Sequence, residues 1–239
     1  MWLFKKKIPT LRESGFLKGL TDWHSHILPG VDDGLQDMKD ALNILEVYQN
    51  AGVKKVWLTP HIMEDFPNST QSLKEKFRSL KNEWKGNVEI ALASENMLDS
   101  LFEDRLEKDD FLTLGDTGKN LLVETSYYNA PYGMKSMLDE AIRKGYRIVL
   151  AHPERYRYMQ TKDYIELKNK GVLFQLNFMS LTGAYGETSA KIAHKLLSER
   201  MIDIVGGDFH RVEHLKGQLD TPFLHKDIIN RLNYVSNRI

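Results

Sequence analysis

The chain has 239 residues, 41% of them apolar, enough to bury a sizeable core; a single domain of barrel type is ordinary at this length. Lysine plus arginine number 33, as do aspartate plus glutamate, so no global field draws the protein to nucleic acid or a membrane surface, and any phosphate binding must be local. The absence of cysteine excludes a disulfide framework, a thiolate zinc site and any phosphatase that works through a cysteine-phosphate intermediate.

The chain opens with Met1-Trp2-Leu3-Phe4-Lys5-Lys6-Lys7-Ile8-Pro9, its charges after a short apolar patch, the reverse of a secretory signal. No run approaches the roughly 20 apolar residues of a membrane span, and a cytoplasmic location is expected. Trp2, Phe4 and the lysines are read as a segment that packs on the domain or frays, with a peripheral membrane or partner contact as the alternative. Residues 1–19 are taken as an N-terminal extension and 20–239 as a single domain. Leu20-Thr21-Asp22-Trp23 reads as a first strand delivering His24 and His26. Ala41, Leu42, Leu45 and Tyr48 then recur at helical spacing up to Gly52. Residues 53–58 form a strand before Thr59-Pro60-His61, and Leu73, Phe77, Leu80 and Trp84 mark a helix ending at Gly86. Strands at 88–93 and 120–123 lead to Glu95 and Glu124. Met137, Leu138, Ala141 and Ile142 mark a helix before Gly145. Strand 147–150 leads to His152, and strand 172–176, after Gly171, leads to Asn177. Ile192, Ala193, Leu196 and Leu197 mark a last helix before strand 202–205 and Gly206-Gly207-Asp208-Phe209-His210. No linker, repeat or low-complexity segment interrupts this order.

Strands alternating with helices argue for parallel strands joined by helical crossovers. An open doubly wound sheet would spread seven polar strand ends along an edge. A closed barrel gathers its strand ends on one face, where active sites sit, so an irregular barrel short of eight strands is preferred.

Side chains alternate with period two along a strand, so His24 and His26 share a side and can grip one divalent ion. Asp22 is a candidate to orient one of their rings. The turn-rich loop after His26 adds Asp32 and Asp33. Taken singly, His61 or Glu95 is an ordinary side chain, and the case rests on the shared strand-end position of the set. Mixed imidazole and carboxylate donors suit manganese, iron or zinc better than magnesium or calcium. Closely spaced cations would make hydroxide available near neutral pH.

His24-Ser25-His26, Leu28-Pro29-Gly30-Val31-Asp32-Asp33-Gly34, Thr59-Pro60-His61, Ala151-His152-Pro153-Glu154-Arg155-Tyr156 and Gly207-Asp208-Phe209-His210 occur in this order over residues 22–210. Together they resemble the bacterial metal-dependent protein-tyrosine phosphatases of the polymerase and histidinol phosphatase (PHP) superfamily. The resemblance implies a distorted (β/α)7 TIM-like barrel of the PHP type, an α/β fold, and two or three divalent ions, most often manganese. It also implies hydrolysis of phosphotyrosine on a bacterial tyrosine kinase that controls capsule or exopolysaccharide synthesis. By the same resemblance His24, His26, Glu95 and Asp208 match the ligands of one ion. Glu95 bridges to a second ion held by Glu124 and His152, and Asp32, His61 and His210 match a third, with Asp33 as a substitute for Asp32 or an orienting group.

Arg155, on the His152 loop, is a candidate to fork onto phosphate oxygens, against a plain ion pair with Glu154 or another carboxylate. Arg211 adjoins His210 and is a second candidate, although the family places its second substrate arginine further on. Tyr127, Tyr128 and Tyr132 follow Glu124. They are either a wall for a substrate phenyl ring, with Tyr128 taken as the contact, or ordinary exposed loop tyrosines. Phe209 stands where relatives carry a small residue and is a candidate to line the pocket. His194 is read as structural, and His214 and His225 lack strand-end context. The rival functions are a small-molecule phosphomonoesterase of histidinol-phosphatase type and a non-catalytic interaction module.

Overall fold

In the computed structural model, which describes residues 7–235, helices and short strands alternate along the chain. A first turn α1 (Leu11–Ser14) precedes β1 (Thr21–Asp22), α2 (Met38–Ala51), β2 (Lys55–Leu58), β3 (His61–Ile62), α3 (Thr70–Glu83), β4 (Glu89–Leu92) and β5 (Glu95–Met97). The chain continues through α4 (Ser100–Lys108), β6 (Asn120–Glu124), α5 (Met134–Arg143), β7 (Arg147–Ala151), α6 (Thr161–Asn169) and β8 (Leu173–Asn177). It finishes with α7 (Glu187–Ser198), β9 (Ile204–Gly206), α8 (Val212–Leu219) and α9 (Lys226–Val235), and short 3₁₀ turns lie at Pro153–Arg155 and Phe178–Thr182.

Every strand pair is parallel, in a sheet ordered β1-β2-β4 and a sheet ordered β3-β5-β6-β7-β8-β9. β2 and β3 are two halves of one run, and so are β4 and β5. Across the breaks Ala93 N–H donates to the Leu58 carbonyl and Glu95 N–H to that of Pro60, so the two runs stay paired. The first run also bonds the last: Trp23 N–H donates to Val205 O, Asp208 N–H to His24 O and His26 N–H to Phe209 O.

Strand periodicity sorts the side chains. Leu121, Val123, Ile148 and Leu150 belong to the large core beneath the helices, whereas Leu122, Val149 and Ala151 pack with Trp23, Trp57, Ala93, Leu114 and Ile204 in a second, smaller core. Glu124 shares the face of Leu122 by the same alternation, which carries its carboxylate to the end of that smaller core. Trp23 and Trp57 stack there with ring centroids 5.8 Å apart.

The helix boundaries follow local chemistry. Asp37 caps α2 through the Asp40 N–H, and Gly52 ends it with φ 83°. Helix α3 departs from expectation: it stops at Glu83, and Trp84 rather than Gly86 is its cap. Gly86 has another task, since a Cβ there would lie 2.2 Å from the Trp84 ring, which folds back to donate to the Val88 carbonyl. Helices α1, α4, α6, α8 and α9 lie outside the apolar spacing singled out in the sequence.

Trp2 and Phe4 lie outside the described residues. The described part of the extension packs on the rest of the chain. Leu11, Phe16 and Leu17 are buried, and Phe16 meets Phe178 and Phe223 at 5.2 and 5.5 Å. Leu11 N–H donates to Thr221 O, Phe223 N–H to Pro9 O, and Arg12 pairs with Asp220. No helix among the described residues is long and apolar enough to cross a membrane. Phe16→Ala is expected to cost about 3–5 kcal/mol of stability, as for a buried aromatic in a core; denaturant unfolding at matched metal content measures it, and a neutral result would mean that the extension packs only loosely.

Candidate metal centre and active site

Aspartate and histidine side chains at the strand ends converge because two backbone breaks aim them inward. His152 and Asp208 both adopt left-handed backbone conformations, φ 31° and 53°, a cost that is tolerated where surrounding contacts over-determine the geometry. Gly206 and Gly207 leave room for His24 and Phe209. A Cβ on Gly206 would come within 2.5 Å of the His24 Cβ, and one on Gly207 within 2.4 Å of the Phe209 ring.

His24 Nε2 and His26 Nε2 face each other at 3.1 Å, with Glu95 Oε2 at 3.1 and 3.3 Å and Asp208 Oδ1 at 3.6 and 3.4 Å from them. Glu95 turns its other oxygen to His152 Nε2 at 3.0 Å, and Glu124 Oε2 stands 4.0 Å from the same nitrogen. His61 Nδ1 lies 2.9 Å from Glu124 Oε1 and 3.1 Å from Glu95 Oε2, while its Nε2 lies 3.4 Å from Asp33. His210 Nε2 is 3.3 Å from the same Asp33 oxygen, and its ring stacks on His26 with centroids 4.0 Å apart.

Asp32 and Asp33 divide the work differently from the expected set. Asp32, matched to a ligand, spends its oxygens on protein donors: Oδ2 accepts from His26 Nδ1 and His61 N–H, and Oδ1 from Gly34 N–H. Asp33 is the aspartate that stands with His26, His61 and His210, their ligand-type atoms all within 4.8 Å of one another. Asp22 does not touch the His24 ring either. Its oxygens accept from the backbone of His24 and Gly207 and from the Tyr48 hydroxyl, and burial raises its pKa to about 6.

The group that orients His24 is Gln175, a residue that sequence reasoning passed over. Asp208 Oδ2 can only accept, so Asn177 presents its amide nitrogen to it at 2.7 Å. Asn177 Oδ1 then accepts from Gln175 Nε2, which turns Gln175 Oε1 to His24 Nδ1 at 2.8 Å. His24 therefore carries its proton on Nδ1. His26 does too, because its Nδ1 partner is the Asp32 carboxylate. With both rings in the neutral form, the only one that binds metal, two lone pairs face each other across 3.1 Å, an arrangement that calls for a cation between them.

Electrostatics says the same. Burial opposes charge on Glu95, yet His24 and His61 hold its pKa well below the ordinary carboxylate range. Burial and His26 work against protonating His61, but the neighbouring carboxylates of Glu95, Asp33 and Glu124 outweigh them and raise it to about 10. Glu95 Oε2, Glu124 Oε1, His61 Nδ1 and His152 Nδ1 are buried without a hydrogen-bond partner. Such orphaned donor atoms in a site short of positive charge fit divalent cations.

Arg155 is half-buried, and its partner is Asp208, not Glu154: Nη1 donates to Asp208 Oδ2 at 2.8 Å. Glu154 faces inward, accepting from Asn177 N–H and the Ser180 hydroxyl, and burial raises its pKa to about 7. Arg211 is exposed ahead of α8 and makes no ion pair among the described residues. Tyr128 is 61% exposed and lies under Arg157; the neighbouring Tyr127 reaches the site, its ring 5.8 Å from His152 and 4.3 Å from the Arg155 guanidinium. Phe209 packs into the core against Tyr48 and Phe178 instead of lining a pocket. His194 bonds the Leu181 carbonyl as a structural histidine, and His214 and His225 are exposed.

Parallel α/β architecture with a polynuclear donor set beside a fixed arginine defines a metallohydrolase-type site. A family model described as capsular polysaccharide synthesis, CpsB/CapC, matches residues 20–226, and the chain belongs to this family. Tyrosine-protein phosphatase YwqE of Bacillus subtilis (strain 168) is 26% identical over 200 residues, covering 81% of this chain and 78% of the relative. Tyrosine-protein phosphatase CpsB of Streptococcus pneumoniae is 28% identical over 207 residues, covering 81% and 84%. A crystal structure from work on YwqE and CpsB, described as unique metal-dependent tyrosine phosphatases, superposes with a TM-score of 0.76 at 26% identity, covering 90% of this chain and 85% of that one. An Escherichia coli phosphotriesterase homology protein, at TM-score 0.53 and 13% identity, shares the fold alone.

Gln175→Leu is expected to weaken divalent-ion binding by about 10- to 100-fold, the usual effect of removing a partner that orients a ligating histidine. Titration calorimetry on the apoprotein tests this, and unchanged affinity would show that the amide ladder does not set the His24 tautomer.

Proposed function

We propose that this protein is a metal-dependent protein-tyrosine phosphatase that removes phosphate from a tyrosine kinase of capsule or exopolysaccharide synthesis. The observation that carries the reading is the facing pair of imidazole lone pairs amid buried carboxylates, placed within reach of one half-buried arginine. His24, His26, Glu95 and Asp208 would hold one ion. Glu124 and His152 would share Glu95 with a second, and Asp33, His61 and His210 would hold a third, with Asp32 orienting His26. Manganese is the preferred metal, with iron and zinc as alternatives. Bound there, divalent ions supply Lewis-acid activation of water and neutralise phosphoryl oxygens.

The chain's own groups do the positioning. An arginine carries five N–H donors in a planar fork, and only one of those on Arg155 is used by Asp208, so the rest are available to nonbridging phosphate oxygens. Tyr127 offers an aromatic face beside them for a phenyl ring. Support for a distorted (β/α)7 barrel of the PHP type over residues 20–239 comes from the bonds between the first and last strand runs. We further infer a cytoplasmic location, where an ATP-using kinase would be met.

Chelator-stripped protein is expected to release no phosphate from a phosphotyrosine peptide, and added Mn²⁺ to restore release. Arg155→Ala is expected to lower kcat/KM by about 10²- to 10³-fold, as for a lost donor to transition-state charge. Preference for histidinol phosphate would favour the small-monoester reading, and inactivity with every divalent ion the non-catalytic one. Acid should strip the site, because the histidines bind metal only when neutral; bound metal followed as pH falls measures this, and retention below the imidazole range would contradict the ligand set.

A further inference from the structure

Tyr185 lies on the segment between the 3₁₀ turn at Phe178–Thr182 and α7, far in sequence from every motif, and yet it touches the one arginine of the site. The Arg155 guanidinium carbon sits 4.3 Å from the ring centroid of Tyr127 and 4.5 Å from that of Tyr185. A third contact, the 2.8 Å bond to Asp208 Oδ2, ties the same group to a carboxylate whose other oxygen faces His24 and His26. Three separate chain segments thus hold one planar cation.

A free arginine side chain carries rotamer entropy that a ligand must otherwise remove on binding. Aromatic faces attract a guanidinium without using up its N–H donors. A phenol is uncharged at neutral pH, so the two rings do not compete with phosphate for the arginine as anions would. We propose that Tyr185, together with Tyr127, is a positioning residue that holds the Arg155 fork ready for a phosphoryl group, so that Tyr185 governs affinity for phosphate itself and not for the tyrosine ring that carries it. This rests on the phosphatase reading of the site.

The probe is inorganic phosphate, titrated calorimetrically into Mn²⁺-loaded protein, because it has no ring to pack on Tyr185. Tyr185→Leu is expected to weaken phosphate binding by about 3- to 10-fold, in the range of a partly desolvated cation–π contact. Tyr185→Phe, which keeps the face, should bind within about twofold of the parent. In an Arg155→Ala background, Tyr185→Leu should have no further effect, as expected for two residues that act through one contact. Bound-metal content checks that each variant retains its centre, and if Tyr185→Leu loses metal, Tyr127→Leu tests the other half of the clamp. Unaltered phosphate affinity in the leucine variants, or a loss that persists undiminished without Arg155, overturns the proposal. The reading beneath it fails separately: a protein that shows this coupling but hydrolyses no phosphotyrosine peptide keeps the clamp and loses the phosphatase.

Discussion

Confinement of acceptor atoms is the constraint on which the rest of the structure turns. Glu95, Glu124 and Asp208 are buried together with His24, His26 and His152, and Glu95 alone lies within 3.3 Å of three imidazoles besides His152. Burying unpaired carboxylates is costly by several kcal/mol per ion unless positive charge compensates them. In the absence of cations, that compensation falls to the imidazoles, which is why His24, His26 and His61 are all held above the ordinary range although burial pulls each one down. A site with this demand stores its affinity for cations in the fold.

Holding such a site together takes a second layer of hydrogen bonds. The ladder Asp208, Asn177, Gln175, His24 runs across the end of β8 and sets, from one acceptor-only carboxylate, two amide orientations and a histidine tautomer. Glu154 ties the turn after β7 to the same strand end through Asn177 N–H and Ser180. Arg155 is therefore carried on a turn anchored from below, while its guanidinium is fixed from the side by aromatic faces. Rigidity at both ends of one side chain is what electrostatic preorganisation asks of a group that meets developing charge.

Family membership and this geometry make separate contributions. Relatives at 26–28% identity give the class of chemistry, and distant neighbours such as the phosphotriesterase homology protein give only the arrangement of strands. Neither assigns roles to Gln175, Asn177 or Tyr185, which emerge from contacts alone.

Much of the architecture was legible in the chain because its signals are local. Strand runs ending in polar residues, apolar spacing of 3.6 and helix-ending glycines depend on neighbours a few residues away, and the parallel α/β order and the convergence of His24, His26, His61, Glu95, Glu124, His152 and Asp208 followed from them. What depended on contacts across the fold was not legible. Asp32 and Asp33 are adjacent and chemically identical, and only the position of the His26 and His210 rings separates the orienting carboxylate from the one in the donor set. Tyr127 and Tyr128 differ likewise by which side of a loop they occupy. Trp84 ends its helix ahead of Gly86 because its ring returns to Val88. Gln175 and Tyr185 belong to no motif, and their roles exist only because strands and loops over a hundred residues apart bring an amide to His24 and a local turn brings Arg155 to a ring. Sequence determined which chemistry the strand ends carry; tertiary structure decided which of those groups face the cations and which hold them in place, since that choice is made by long-range packing.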